Sequence, residues 1–354
     1  MVDTILELTK NLVGMKTPCG DIRRLNRCMD FIIDDFHDIA RVKRFQYNRF
    51  PSIFISNFKR PKIILNSNID VVGADESMFI PKVKAGKLYG RGAYDSKAQV
   101  AAFMHVLKEN PNANIGLMIT SDGETGGKWG SGRLVKDFPC KFVIVGEPTN
   151  LDIVYETKGA LWIDVEYRGK SSDSSEPWKG SNAIEEGMLK LEKIFKKYNK
   201  KSGFNPTCNL AAVTTKNTFY NKVPDQAVFS LDIRFVGSPE PILKELKKHK
   251  FIFDGKRYPT LNKKIFPALK TKQNDPYLQS FKKIAEKTTK KKISLRKDSG
   301  FTDARYFKNA IEFGAKGANV HSEGEYVDIK SIHQVHDVIT AFVKQQEEKN
   351  KSSK

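Results

Sequence analysis

Asp95, Glu124, Glu147 and His321 are oxygen and nitrogen donors of the hard or borderline kind that hold zinc. Two zinc ions sharing one bridging carboxylate activate a water and polarise an amide carbonyl, which is the chemistry of amide hydrolysis. The sequence in front of these residues gives them a common place. Ile63-Ile64-Leu65-Asn66-Ser67-Asn68 is an apolar run that turns polar at its end, with Asp70 just beyond. Residues 114–120 run into Ser121-Asp122-Gly123-Glu124, and residues 142–145 run into Gly146-Glu147-Pro148-Thr149. Asn68 and Asp70 are two apart, so on a strand they point the same way. A single acid in such a position most often caps a helix. Three apolar strands that each end in carboxylates describe the ligand-collecting edge of an open parallel sheet.

The remaining elements are those needed to hold that edge. The first 48 residues predict a helix, a loop at Thr17-Pro18-Cys19-Gly20, a second helix over 25–35 and a strand over 42–47. Strands follow at 52–57 and 62–65. A glycine-rich turn then carries Asp95 into a helix over 96–108. After residue 155 the texture changes. Residues 161–167 and 227–234 alternate apolar and polar, the mark of one-sided strands, with helices at 182–198 and 241–249 and a strand at 209–215. That order predicts an inserted α+β domain at 155–265, between a discontinuous domain of 1–154 and 266–354. The chain returns to a helix at 276–289, a glycine-rich segment reaching His321, a last helix at 331–346 and a frayed tail at 347–354.

Composition narrows the class. A hydrophobic content of 39% with 10% aromatics predicts a globular fold, and 354 residues favour two domains over one. No apolar run reaches the roughly 18 residues of a membrane span. The N-terminal stretch carries acids in its first turns, unlike a secretion signal. Four scattered cysteines (Cys19, Cys28, Cys140, Cys208) have neither knuckle nor disulfide-framework spacing, so a reduced, cytoplasmic protein is expected. The net charge of +20 sits in lysine clusters at 190–201, 244–250 and 287–297. The first two interleave with apolar residues at helical spacing and read as solvated helix faces. No helix-turn-helix, RRM or zinc-finger pattern accompanies them.

The motifs Asn68-x-Asp70, Gly90-Arg91-Gly92-Ala93-x-Asp95, Asp122-Gly123-Glu124-Thr125-Gly126-Gly127, Gly146-Glu147-Pro148-Thr149 and His321-Ser322-x-x-Glu325-Tyr326 occur in the order of a known family. The chain resembles the M20 metallopeptidases and amino-acid deacylases, which include acetylornithine deacetylase and succinyl-diaminopimelate desuccinylase. Asn182-Ala183-Ile184, Asn221-x-Val223-Pro224-Asp225, Asp232-x-Arg234 and Thr302-Asp303-Ala304-Arg305 add to the likeness, which runs from near residue 1 to about 345. The resemblance implies an α/β, zinc-peptidase-like catalytic domain with a mixed, largely parallel sheet. It also implies that the insert is a ferredoxin-like dimerisation or lid domain. It implies one or two zinc ions, with cobalt and manganese also suited to carboxylate-rich sites. Asp95 would bridge both metals, Glu124 and His321 would complete one site, and Glu147 would belong to the other. Asp70 would orient the second-site ligand at 68, Asn221 and Arg305 would hold polar groups of the substrate, and Arg234 would brace the insert. The substrate would be an N-acyl amino acid or small peptide, cleaved at its amide bond by metal-activated water in a homodimer.

Three departures fall on the chemistry. Family members carry histidine where this chain has Asn68, and an amide oxygen is a poorer zinc ligand than imidazole. They carry a glutamate general base where this chain has Gly123, and positioned bases contribute roughly 10²–10⁴-fold. They carry an oxyanion-stabilising histidine where this chain has Asp173, whose charge would repel developing negative charge. Three readings follow from this. The first is an M20 scaffold that keeps one metal site but little or no hydrolysis, a pseudoenzyme. The second is an active mono- or dizinc deacylase using a variant mechanism, with Asp122 or free hydroxide in place of the missing base. The third is a basic, non-catalytic scaffold for nucleic acid or acidic partners.

Overall fold

Strands buried at every position form the centre of the fold. Ile63–Asn68, Ile115–Thr120 and Phe142–Val145 have no exposed residue, so each needs cover on both faces. They lie side by side and parallel, with Asn68 level with Thr120 and Asn66 level with Val145. Their C-terminal ends therefore open on one edge. In this computed structural model, which describes residues 3–201, 203–253 and 263–352, they belong to an eight-stranded mixed sheet. Its order is Val42–Tyr47, Phe50–Ile55, Ile115–Thr120, Ile63–Asn68, Phe142–Val145, Ala310–Glu312, Ile153–Thr157 and Leu295–Asp298. The four strands from Ile115–Thr120 to Ala310–Glu312 are parallel, and antiparallel pairs flank them.

Each face of the sheet has its own core. Ile63, Leu65, Leu117, Ile119 and Ile144 join one with Leu12, Met29, Phe103, Phe281 and Phe342 of the covering helices. Ile64, Met118, Val143 and Val145 point the other way, to Phe54, Leu134, Phe138 and Phe307. Each fully buried side chain of this size contributes about 1.5–3 kcal/mol. The covering helices show the expected apolar stripes. Thr4–Gly14 is capped by Asp3 and buries Ile5, Leu8 and Leu12; Ile22–Asp34 is capped by Asp21 and buries Leu25, Cys28, Met29 and Ile32. The last helix, Ile329–Ser352, corrects the expectation of a frayed tail from 347. Glu347 and Glu348 are good helix formers, and the Glu347 carboxylate accepts the Asn114 N–H at 3.1 Å. Residues 353–354 of that expected tail lie outside the described residues.

The chain divides into two compact units. One comprises Met1–Glu156, Leu269–Arg296 and Thr302–Lys354; the other comprises Thr157–Ala268 and Lys297–Phe301. In the second, strands Thr207–Thr214, Gln226–Phe235, Gly159–Arg168 and Lys263–Phe266 form an antiparallel sheet in that order. Helices Ala183–Tyr198 and Glu240–Lys248 give a β-α-β-β-α-β sequence, the ferredoxin-like arrangement. Gln226–Phe235 alternates strictly, sending Ala227, Phe229, Leu231, Ile233 and Phe235 into the core with Leu191, Ile194 and Leu246.

A third, small sheet matters for the site. Lys82–Lys84, Lys87–Tyr89, Tyr326–Asp328 and Gly317–Ala318 pair as short antiparallel strands, with Tyr326 opposite Tyr89. This pairing brings the segment containing His321 and Glu325 against the turn at 90–97. Sequence patterning gave no sign of it, because strands of two or three residues carry no periodicity.

Candidate metal centre

Asp70 is fully buried just beyond the strand Ile63–Asn68 and ties two strand ends together. Its carboxylate accepts the backbone N–H groups of Gly123 and Glu124, each at 3.0 Å, and the Asn68 amide at 3.1 Å. Burial, reinforced by the charge of Glu124, pushes its pKa up to about 8. The short turn Gly123–Thr125 is thereby fixed, and Glu124 is directed toward Asp95 and His321.

Asp95 sits in a turn over Ala93–Lys97, ahead of the helix Ala98–Glu109. The turn is gripped by Glu325. That carboxylate is buried and accepts the N–H groups of Gly92, Tyr94 and Asp95 at 3.0–3.1 Å, and pairs with the buried Arg91 at 2.5 Å. Gly92 has φ +83°, and a Cβ there would stand 2.6 Å from Val71 Cγ1, so only glycine fits the bend. Glu325 was legible in the motif around His321, but its part in holding the Asp95 turn was not.

Asp95, Glu124 and His321 offer ligand atoms that all lie within 4.8 Å of one another. His321 Nε2 is 3.1 Å from Asp95 Oδ2 and 3.2 Å from Glu124 Oε2. These two hydrogen bonds raise the His321 pKa to about 10, so the imidazolium stands where positive charge is required. Burial raises the Glu124 carboxyl, and His321 opposes that rise. Glu147, just past the strand Phe142–Val145, is raised further, by burial and then by the charges of Asp95, Glu312, Asp303 and Glu124. Mutually repelling carboxylates at one strand edge call for a cation. The donors present fit one divalent ion held by Asp95, Glu124 and His321, the mixed carboxylate–imidazole set that suits zinc.

Among the described residues, Asp95, Glu124 and His321 are the converging group that could hold an ion. Asn68 turns its amide N–H group to the Asp70 carbonyl at 3.2 Å and to the Asp70 carboxylate. Glu147 lies outside the trio of converging ligands. Gly123 faces Asn68 directly: a Cβ at 123 would stand 2.6 Å from Asn68 Cγ and 2.7 Å from Nδ2. Asp122 is buried with its carboxylate accepting the N–H groups of Trp129 at 2.7 Å and Gly130 at 2.9 Å.

The other expected site residues are placed as follows. Arg305 is buried, and its guanidinium donates to the carbonyls of Gly126 and Thr302 and to the Tyr306 hydroxyl, bracing the glycine turn after Glu124. Asp173 and Asn221 belong to the second unit, where their segments adjoin. Asp173 bridges Lys222, and the Ser174 N–H donates to the Asn221 carbonyl at 3.1 Å. The exposed Asp173 carboxylate accepts the Ser175 N–H and hydroxyl at 2.8 and 2.7 Å, which hold its pKa below the usual range. Arg234 pairs with Asp232 at 2.9–3.0 Å and lies over the Phe301 ring, a bracing role within the insert.

An α/β scaffold that gathers acids and a histidine at the end of its parallel strands, with a ferredoxin-like insert, has the architecture of a metal-dependent amide hydrolase. The model of peptidase family M20/M25/M40 matches residues 64–345, and the chain belongs to that family. Succinyl-diaminopimelate desuccinylase from Rickettsia bellii is 24% identical over 375 residues, covering 94% of this chain and 94% of that protein. The fold matches the aminopeptidase PepT from Bacillus cereus with a TM-score of 0.76 at 17% identity, covering 96% and 97% of the two chains. It also matches a dinuclear metal-binding M20 peptidase from Bacillus subtilis, with a TM-score of 0.65, 12% identity and 96% coverage of each chain.

Proposed function

We propose that this chain is an M20 amidohydrolase scaffold that holds one divalent cation between Asp95, Glu124 and His321 and hydrolyses amide bonds weakly or not at all. The observation that carries this reading is the fit of the Asn68 amide against Gly123. The positions of a second-site ligand and of a proton-accepting side chain hold an amide and a glycine, and the amide lies where a Cβ at 123 would stand. A bound cation would supply Lewis-acid polarisation of a carbonyl. The chain's own residues orient what is there. Asp70 fixes the Glu124 turn, Glu325 fixes the Asp95 turn, and Arg305 fixes the glycine turn that follows. None of these positions holds a free base beside the trio, and the Asp122 carboxylate is closed onto Trp129 and Gly130.

The substrate class of the ancestral reaction is an N-acyl amino acid or small peptide, a reading supported by the desuccinylase relative. A homodimer through the insert is supported by the edge strand Thr207–Thr214, most of whose outer residues are exposed. A cytoplasmic setting is supported by the four cysteines, all free.

The test is release of amino acid from N-succinyl and N-acetyl amino acids and from dipeptides, with zinc supplied. The chain as it stands should turn over near background. The triple variant Asn68→His, Gly123→Glu, Asp173→His should gain roughly 10²-fold or more. Equal rates from the two proteins would refute the proposal.

A further inference from the structure

On the first unit, sharing no residue with the metal centre, a groove of about 710 Å³ is lined by Lys16, Arg23, Arg24, Arg27, Ile80 and one carboxylate, Glu76, with the Phe79 ring beneath Lys16. Its cationic wall comes from the first two turns of the helix Ile22–Asp34. Arg23 and Arg27 are i and i+4 on that helix, so they share a face, and both are exposed. Arg24 pairs with Asp21 at 3.1 Å, and Lys16 pairs with Glu76 while lying 5.4 Å from the centroid of the Phe79 ring. Arg23 and Arg27 have no carboxylate partner among the described residues. Ile80, in the same lining, is a large apolar side chain left 61% exposed.

The residue types argue for more than a solvated face. The chain has 47 lysines and 14 arginines, and where it only needs a soluble helix surface it uses lysine. Three of the 14 arginines fall within residues 23–27. Arginine differs from lysine in presenting a planar fork that binds two phosphate oxygens at once. Glu76 lines the groove and holds Lys16, and Asp21 holds Arg24, so the uncompensated positive charge of the groove rests on Arg23 and Arg27. The geometry points to a binding site for a small organic polyphosphate. Its phosphates lie on Arg23, Arg24 and Arg27, and its flat or apolar part lies against Phe79 and Ile80.

The experiment is isothermal titration of the full-length chain with ATP, with tripolyphosphate and adenosine in parallel, at about 0.15 M salt. ATP should bind saturably at one site per chain, tripolyphosphate more weakly, and adenosine not measurably. The variant Arg23→Ala/Arg27→Ala should lose roughly tenfold or more in ATP affinity with an unchanged melting curve. Arg23→Lys/Arg27→Lys, which keeps charge but not the fork, should also lose several-fold. Asp95→Asn should bind ATP as the parent does, which separates this site from any cation-mediated binding at the acidic centre. No saturable ATP binding, or binding unaffected by Arg23→Ala/Arg27→Ala, would overturn the assignment. So would an equal loss in Lys244→Ala/Lys248→Ala, or an RNA oligonucleotide that binds where ATP cannot compete.

Discussion

At the scale of single residues, the Asn68 amide occupies the volume that any side chain at 123 would need. Its Cγ and Nδ2 would lie 2.6 and 2.7 Å from a Cβ there, and Nδ2 is held in place by Asp70. Asn68 is short and buried, so it has no flexible end to swing aside. Placing a glutamate at position 123 alone therefore overpacks the site and breaks the amide's bonds to Asp70. We expect Gly123→Glu to destabilise the chain by about 1–3 kcal/mol in urea denaturation. Truncating the neighbour removes the two closest of those contacts, Cγ and Nδ2, and leaves the Asn68 Cβ at 2.9 Å. In a double-mutant cycle, Gly123→Glu should cost less in an Asn68→Ala background, with a coupling of about 0.5–3 kcal/mol. Simple additivity would mean that the two positions do not share space as described.

Among the elements, the turn carrying Asp95 depends on a carboxylate more than two hundred residues away in the chain. Glu325 satisfies three backbone N–H groups of that turn and pairs with the buried Arg91 guanidinium through one of its nitrogens. Removing it leaves an uncompensated buried charge, so Glu325→Ala should cost about 3–5 kcal/mol and weaken zinc binding as well. Asp95→Asn should weaken zinc binding with a much smaller loss of stability, so calorimetric zinc titration and urea melts of the two variants separate positioning from ligation. This contrast also marks how far the sequence could be read. Asp70, Glu124 and Glu147 were visible because continuous apolar runs encode strands buried on both faces, and such strands end on one edge. The grip of Glu325, the closure of Asp122 onto Trp129 and Gly130, and the hold of Arg305 on Gly126 are long-range or turn contacts. Neither period two nor period 3.6 encodes them. The end of the last helix was missed for a different reason: its glutamates and lysines look like a solvated tail, yet they are residues that favour helix.

For the molecule as a whole, a net charge of +20 goes with a candidate metal centre that is strongly acidic. Asp70, Asp95, Glu124, Glu147, Asp303 and Glu312 lie close enough that burial and mutual repulsion raise the carboxyls of Asp70, Glu124 and Glu147. The positive exterior favours anionic ligands in solution, while the centre itself is stabilised by whatever neutralises it. A divalent ion would do this in the native state and would find no such cluster in the unfolded chain, so its binding must appear as stability. At a free zinc concentration about one hundred times the dissociation constant, the gain is about 2.7 kcal/mol. For a chain of this size that corresponds to a rise of several degrees in melting temperature. Because Asn68 is turned to Asp70, the ion count at saturation should be one per chain, and chelation with EDTA should return the melt to its starting point. Asn68→His should raise the count toward two without changing the first step of the titration. A melt indifferent to both zinc and EDTA would mean that Asp95, Glu124 and His321 balance their charges through the imidazolium alone. Two ions per chain in the parent would mean that the amide at 68 ligates after all, by leaving the carboxylate that now holds it.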